Sequence, residues 1–241
     1  INNPLMANKD FQILIKKINM GEDPIEIEGW QYLHRAIEPR KKGEILDKKI
    51  VSIIKEQEPN LILDYGCGKC KTARRLKDEI GAELYIFDID KAVVNNFCSS
   101  FKRYYPSAPD FFGFFDIVLL NLVLCEINNR AVNKILTNVY GALISGGKAI
   151  VSICNPDFAH IHRTEFQNRE NFPTSNSGEE ILMKKCVYTG RPKREFFRST
   201  KHYLDLFSKH GFYKIKTLDT DGVDIETLKR ASDFKIFTME K

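Results

Sequence analysis

Apolar residues change rhythm along the chain in a regular way. Residues 1–28 carry weak helical periodicity around Phe11, Leu14, Ile15 and Ile18, and 29–43 form a short segment rich in aromatic and basic residues. An amphipathic helix is predicted over 44–57, closed by Pro59. Short apolar runs then alternate with helical patterns, giving strands over 61–64, 84–88, 115–121 and 148–154 and helices over 72–80, 91–101 and 130–143. Continuously apolar strands separated by helices predict an α/β fold, an open, mostly parallel sheet with helices on both faces. The rhythm then lapses. Residues 155–199 are polar and basic, with a hairpin predicted from 181–188 and 195–198 around Thr189-Gly190-Arg191-Pro192. A helix over 201–210, capped at Ser199 or Thr200 and stopped by Gly211, is followed by strands over 212–218 and 234–239. The chain thus divides into an N-terminal helical extension, 1–43, and one α/β domain, 44–241, with an insertion at 155–199.

Composition narrows the picture. The 241 residues, 43% hydrophobic and 29% charged, suit one globular domain and exclude a disordered or fibrous chain. No apolar run approaches the roughly 20 residues of a membrane span. The longest, 111–125, is interrupted by Asp116 and Asn121. The first ten residues lack a basic-then-apolar signal pattern, and six cysteines are too sparse for a disulfide framework. A reducing, cytoplasmic setting is expected, and the Lys-, Asn- and Ile-rich composition suggests an AT-rich, bacterial genome. The net charge of +5 is unevenly placed: between Lys184 and His202 seven basic residues accompany one acid, so this segment carries +6 and the remainder −1. That pattern implies one basic surface and argues against a chain coated for nucleic acid.

Candidate chemistry concentrates in Asp64-Tyr65-Gly66-Cys67-Gly68-Lys69-Cys70-Lys71, where a predicted strand runs through a glycine turn into a helix. Glycines at 66 and 68 permit positive φ and close backbone approach beside the free N–H groups of the coming helix. In an open α/β sheet such a turn is a cofactor site. A dinucleotide fingerprint would need glycine at 71, where Lys71 stands. Cys67 and Cys70 also form a C-x-x-C at a helix start, as in thioredoxin-like redox domains. No cis-proline segment follows, and the further strand–helix units exceed such a domain. Zinc would need two more ligands at suitable spacing. The remaining cysteines stand singly in apolar runs, so Cys67 and Cys70 read as packing residues and no metal is expected there.

With an acid two residues before the first glycine, this stretch resembles the first motif of the class I (Rossmann-like) S-adenosylmethionine-dependent methyltransferases, D/E-x-G-x-G-x-G. Asp64, Gly66 and Gly68 match, and Cys70 replaces the last glycine. The resemblance extends over about 44–241. It implies a seven-stranded sheet with an antiparallel last strand, a lid-like insertion after the fifth strand, and S-adenosyl-L-methionine as cofactor, released as S-adenosyl-L-homocysteine. It also implies that the acid ending the second strand holds both ribose hydroxyls: Asp88, with Asp90 as the alternative, and Ile89 beside it. Asn121-Leu122-Val123-Leu124-Cys125-Glu126-Ile127 resembles the segment after the family's fourth strand, which would set Asn121 and Leu122 beside the methionine part. Tyr65 joins the expected cofactor contacts. By the same resemblance, Trp30, Tyr32 and Arg35 fold over the cofactor.

Methyl transfer from a sulfonium is an in-line displacement, so an enzyme mainly aligns nucleophile, methyl and sulfur. Glu126 stands where related small-molecule enzymes often have His, and reads equally as a base or substrate contact or as a cap of the next helix. His160 and His162 are further candidate bases, and Arg163 is a candidate anion contact. His160 and His162 with Glu165 look like a metal-ligand cluster, but metal-dependent relatives place acids near the end of strand four, where Asn121 stands. The [N/D]-P-P-aromatic motif of nucleic-acid amino-methyltransferases is absent after that strand. In the basic insertion Tyr188, Arg191, Arg194, Arg198 and Tyr203 are candidate acceptor contacts, because the guanidinium fork suits phosphate and carboxylate. The expected acceptor is therefore an anionic small molecule, a phosphate-bearing metabolite or surface-polysaccharide precursor, methylated on oxygen or nitrogen. The alternatives are an RNA or protein docked on the basic hairpin, and a hairpin whose charges serve only solubility.

Overall fold

The computed structural model describes residues 39–106, 108–156, 166–167, 177–186, 192–220 and 234–241, with side chains outside 39–42, 109 and 166–195. Helix α1 (Pro39–Lys55) is followed by β1 (Leu61–Tyr65), α2 (Lys71–Ile80), β2 (Glu83–Phe87), α3 (Lys91–Phe97), β3 (Lys102–Arg103), β4 (Phe115–Asn121), α4 (Asn129–Ala142) and β5 (Leu143–Cys154). Then come β6 (Phe166–Gln167), β7 (Ser177–Cys186), β8 (Pro192–Arg198), α5 (Thr200–Lys209), β9 (Tyr213–Asp219) and β10 (Phe234–Glu240).

Seven strands form the main sheet in the order β3-β2-β1-β4-β5-β10-β9, and β6, β7 and β8 form a second, antiparallel sheet. Strands β1 to β5 pair in parallel, whereas β10 runs antiparallel between β5 and β9. The chain winds outward from β1 to β3 and returns on the other side of β1 at β4. The switch point therefore lies between the C-terminal ends of β1 and β4, where open α/β sheets bind ligands.

Strand alternation sorts the core into two layers. Ile62, Ile117 and Leu119 pack with Leu46, Ile50 and Ile54 of α1 and Leu76 of α2. Leu63, Val118 and Leu120 pack on the opposite face with Val132 and Leu136 of α4 and Phe207 of α5. Burial of each such side chain contributes roughly 1.5–3 kcal/mol, so helices on both faces follow from strands apolar on both sides.

Helix ends carry the expected chemistry. Asn128 caps α4 by accepting from Ala131 N at 3.0 Å, and Ser199 caps α5 by accepting from His202 N at 3.2 Å. Capping of α4 thus falls to Asn128. Several elements depart from the sequence pattern: α1 begins at Pro39 and β5 at Leu143, both five residues earlier than predicted. Helix α3 stops at Phe97, and the exposed two-residue β3 follows. So short and polar a strand has no hydrophobic run to announce it. The inserted hairpin is longer than predicted and pairs Ile181 with Phe196 and Met183 with Arg194.

Candidate active site

The turn after β1 is built by hydrogen bonds to the neighbouring strand: Gly66 N and Cys67 N donate to Phe87 O at 2.6 and 3.0 Å. Gly66 has φ +84°, and a Cβ there would come 2.4 Å from Val123 Cγ2, so no side chain fits. At Gly68, φ +49°, a Cβ would meet no atom within 4 Å, so the loop opens outward at this residue. Cys70 adopts φ +55° at the start of α2, the left-handed conformation that glycine would adopt without strain.

Asp88 and Asp90 have different roles. Asp90 caps α3, accepting from Ala92 N at 2.9 Å and Val93 N at 3.2 Å. Asp88 faces the glycine turn instead, with Oδ2 accepting from Gly68 N at 2.8 Å and Oδ1 from Asp90 N at 2.9 Å. A carboxylate has about four acceptor positions, so one on each oxygen remains for a vicinal diol. Next to it, Ile89 is 90% exposed, an apolar surface at the rim of the site.

Asp64 is the least ordinary group. It is 1% exposed, and its Oδ1 has no hydrogen-bond partner. Burial, with the charges of Asp47 and Asp88 nearby, pushes its carboxyl up to about 7. Three acids thus converge at the switch point. Asp47, on α1, accepts from Thr72 Oγ1 at 2.9 Å and Asn121 Nδ2 at 3.1 Å. Asn121 completes the network by accepting from Ser152 Oγ at 2.6 Å, while Leu122, at φ +59°, donates its N–H to Ser152 Oγ at 3.0 Å. Three neighbouring acids, one with an unpaired buried oxygen, suit a ligand bearing positive charge.

Several candidate residues have other surroundings than the sequence suggests. Tyr65 is directed into the core: its ring lies 4.6 Å from Phe87, and its Oη accepts from Asn138 Nδ2 at 3.3 Å, so only its backbone belongs to the turn. Arg198 is 1% exposed, donating from Nε to Asn129 Oδ1 at 2.8 Å, from Nη1 to Leu124 O at 2.9 Å and from Nη2 to Ile127 O at 2.7 Å. Tyr203 is also 1% exposed, its ring 5.8 Å from the Arg198 guanidinium, within the α4–α5 layer. Arg198 and Tyr203 are therefore corrected from acceptor contacts to buried structural residues. Asn121 is held in the polar network just described. Glu126 is exposed in the 3₁₀ turn Leu124–Glu126, which Arg198 braces. Trp30, Tyr32, Arg35, His160, His162, Arg163, Tyr188 and Arg191 lie outside the described residues, and Arg194 is described only as a backbone position of β8.

Loss of the Arg198 brace is expected to be costly. Arg198→Ala leaves Leu124 O, Ile127 O and Asn129 Oδ1 without this donor, and should destabilise the protein by about 3 kcal/mol. Thermal unfolding should show a Tm lowered by roughly 6–12 °C. An unchanged Tm would contradict the strut assignment.

The cysteines also differ from expectation. Cys70 and Cys98 are joined by a disulfide, with Cα atoms 5.9 Å apart, so neither is the free packing thiol its neighbourhood suggested. Cys67 remains a buried thiol beside them.

A doubly wound sheet with a glycine turn at its switch point and an acid on the adjacent strand is a Rossmann-like architecture. Comparison with known proteins shows what the chain is similar to. Residues 63–151 match the methyltransferase domain family. A SAM-dependent methyltransferase from Archaeoglobus fulgidus superposes with a TM-score of 0.57 at 14% identity, covering 82% of this chain and 94% of that one. One from Mesorhizobium loti gives 0.54 at 16% identity, over 75% and 90% of the two chains. The Burkholderia thailandensis 1,6-didemethyltoxoflavin-N1-methyltransferase, solved with S-adenosylhomocysteine, gives 0.50 at 12% identity, over 85% and 90%. No curated protein sequence matches the chain. The chain thus has the fold of the S-adenosylmethionine-dependent methyltransferases, and its residues 63–151 carry the methyltransferase-domain match. Sequence reasoning missed Asp47, Thr72, Ser152 and Cys98, which lie outside the motifs and meet only in three dimensions. Among the described residues no helix is long and apolar enough to cross a membrane.

Proposed function

We propose that this protein transfers the methyl group of S-adenosylmethionine to an oxygen, or a nitrogen, of an anionic small molecule. The observation that carries the cofactor half is the buried, unpartnered Asp64 Oδ1 between Asp47 and Asp88. Asp88 would take the ribose hydroxyls, Ile89 would cover the base, and Asp64 with Asp47 would face the ammonium of the methionine part. The bound cofactor supplies an electrophilic methyl on a cationic sulfur. The chain's own part would be to hold the acceptor's nucleophile in line with that methyl and the sulfur, the sulfur being the leaving group. A phosphate or carboxylate oxygen needs no base for this step. For a hydroxyl acceptor, the exposed Glu126 on the turn after β4 is the candidate to receive the proton, with His160 and His162 as the other candidates.

The anionic acceptor rests on the +6 segment from Lys184 to His202. With Arg198 buried in the fold, the cations left for an acceptor are Arg191, Arg194 and their lysine neighbours, together with Arg163. Release of S-adenosylhomocysteine is the assay, run over phosphorylated and carboxylated metabolites and, in parallel, over RNA and protein. Turnover of a phosphorylated metabolite that changes little between 50 and 200 mM salt supports the small-molecule reading. Turnover of RNA that falls steeply over that range, as counterion release requires, would replace it.

A further inference from the structure

The β1–α2 turn and the β2–α3 turn carry the two halves of the cofactor site, Gly66–Gly68 and Asp88, and a covalent bond joins the elements beneath them. Cys70 opens α2, and Cys98 follows the last residue of α3. Both are fully buried, and the Sγ of Cys98 lies 3.5 Å from Gly68 O. Cys67, between the two glycines, brings a third sulfur within 4.8 Å of both others. Cys70 also holds a left-handed φ of +55°. A non-glycine residue pays conformational strain there, so its presence calls for a compensating bond, and the link to Cys98 is one.

We propose that the Cys70–Cys98 pair is a reversible oxidation site that clasps the cofactor turn, so that the disulfide form binds the cofactor nucleoside tightly and the dithiol form weakly. This rests on the cofactor reading above. Asp88 grips Gly68 N from one side of the turn, and the disulfide fixes the residue two positions on from the other. Reduction removes the second anchor and leaves Cys70 free to relax its backbone away from the geometry in which Gly68 meets Asp88.

The chemistry balances with ordinary thiol reagents. One thiolate attacks a hydroperoxide, the O–O bond breaks, an alcohol leaves and a sulfenic acid forms. The second thiol then displaces the hydroxyl as water and closes the S–S bond. A dithiol reverses the step by two exchanges and leaves as its own disulfide. Cys67 stands close enough to scramble the bond, but burial and the charges of Asp64 and Asp88 push its thiol up to about 12. At neutral pH it is almost entirely protonated and a poor attacking group, so the bond stays between Cys70 and Cys98.

The test is calorimetric titration of S-adenosylhomocysteine into the whole chain, once after equilibration with oxidised dithiothreitol and once with reduced dithiothreitol, with non-reduced peptide mapping of both samples. The expected result is a Cys70–Cys98 cross-linked peptide in the first sample only, and an affinity about tenfold weaker in the second. Because coupling is reciprocal, saturating S-adenosylhomocysteine should lower the midpoint potential of the pair by about 30 mV, the two-electron equivalent of that tenfold. Cys98→Ser should bind at the reduced affinity whatever the reductant, and Cys67→Ser should keep the response. If Cys98→Ser does not fold, the wild-type potential shift decides alone. Equal affinity in both states overturns the clasp while leaving the cofactor assignment standing. Stoichiometric zinc or copper on the three sulfurs overturns it in favour of a metal site, and failure to bind in either state takes the cofactor reading down as well.

Discussion

Asp88→Ala is expected to weaken S-adenosylhomocysteine binding by at least about a hundredfold. Two hydrogen bonds from ribose hydroxyls to a charged acceptor contribute about 1.5–3 kcal/mol each, and a loss of about 3 kcal/mol is already more than a hundredfold in affinity. The substitution also frees Gly68 N, which Asp88 Oδ2 holds at 2.8 Å, so the glycine turn loses part of its preorganisation. Asp90→Ala provides the contrast. It removes the cap of α3, costing about 1 kcal/mol of stability, and should change the affinity only a few-fold. The pair of isotherms separates the two acids: similar losses in both variants would contradict the assignment of Asp88 to the ribose.

The second large effect is expected to oppose stability to binding. Asp64 holds its proton more tightly in the folded protein, where its carboxyl is raised to about 7, than in the unfolded chain near 3.8. Its contribution to stability is therefore complete below about pH 4 and is lost as the pH rises through about 7 and the buried group ionises. Asn at this position stays neutral throughout. Asp64→Asn should leave stability at pH 4 nearly unchanged and raise it at pH 8 by on the order of 4 kcal/mol. The same variant should bind S-adenosylmethionine ten- to a hundredfold more weakly, because the buried charge that would meet the ammonium is gone. Denaturant unfolding at the two pH values, with titrations at pH 8, checks both arms. A variant less stable at pH 8 would show that Asp64 is held by a partner and is not poised for a ligand.

The fold is legible in the sequence wherever burial on both faces forces a continuous apolar run. Strands β1, β4 and β5 are such runs, and the helices between them carry one apolar stripe, so the parallel sheet follows from period alone. Strand β3 is not legible, because two exposed residues pair at the sheet edge without burying anything. The glycine turn is legible because Gly66 leaves no room for a Cβ beside Val123, a constraint that residue type records directly.

Partnership between distant residues leaves a weaker trace. Arg198 stands among arginines that look alike in sequence. Only the fold shows its guanidinium closed over two carbonyls and Asn129, as ordinary a role for arginine as holding an anion. Tyr65 and Tyr203 carry hydroxyls that suggest a site, but their rings fill the core. Asp47 is one acid in a helix that reads as amphipathic, and its contact with Asn121 spans 74 residues. Cys70 and Cys98 are separated by 28 positions, and each alone resembles a buried packing residue.

The most direct test of the cofactor assignment is titration of S-adenosylmethionine and S-adenosylhomocysteine into the oxidised protein, with NADH as control. Micromolar binding of both sulfur ligands with one equivalent per chain, and no heat from NADH, is the expected result. Binding of NADH, or of neither sulfur ligand, would contradict it.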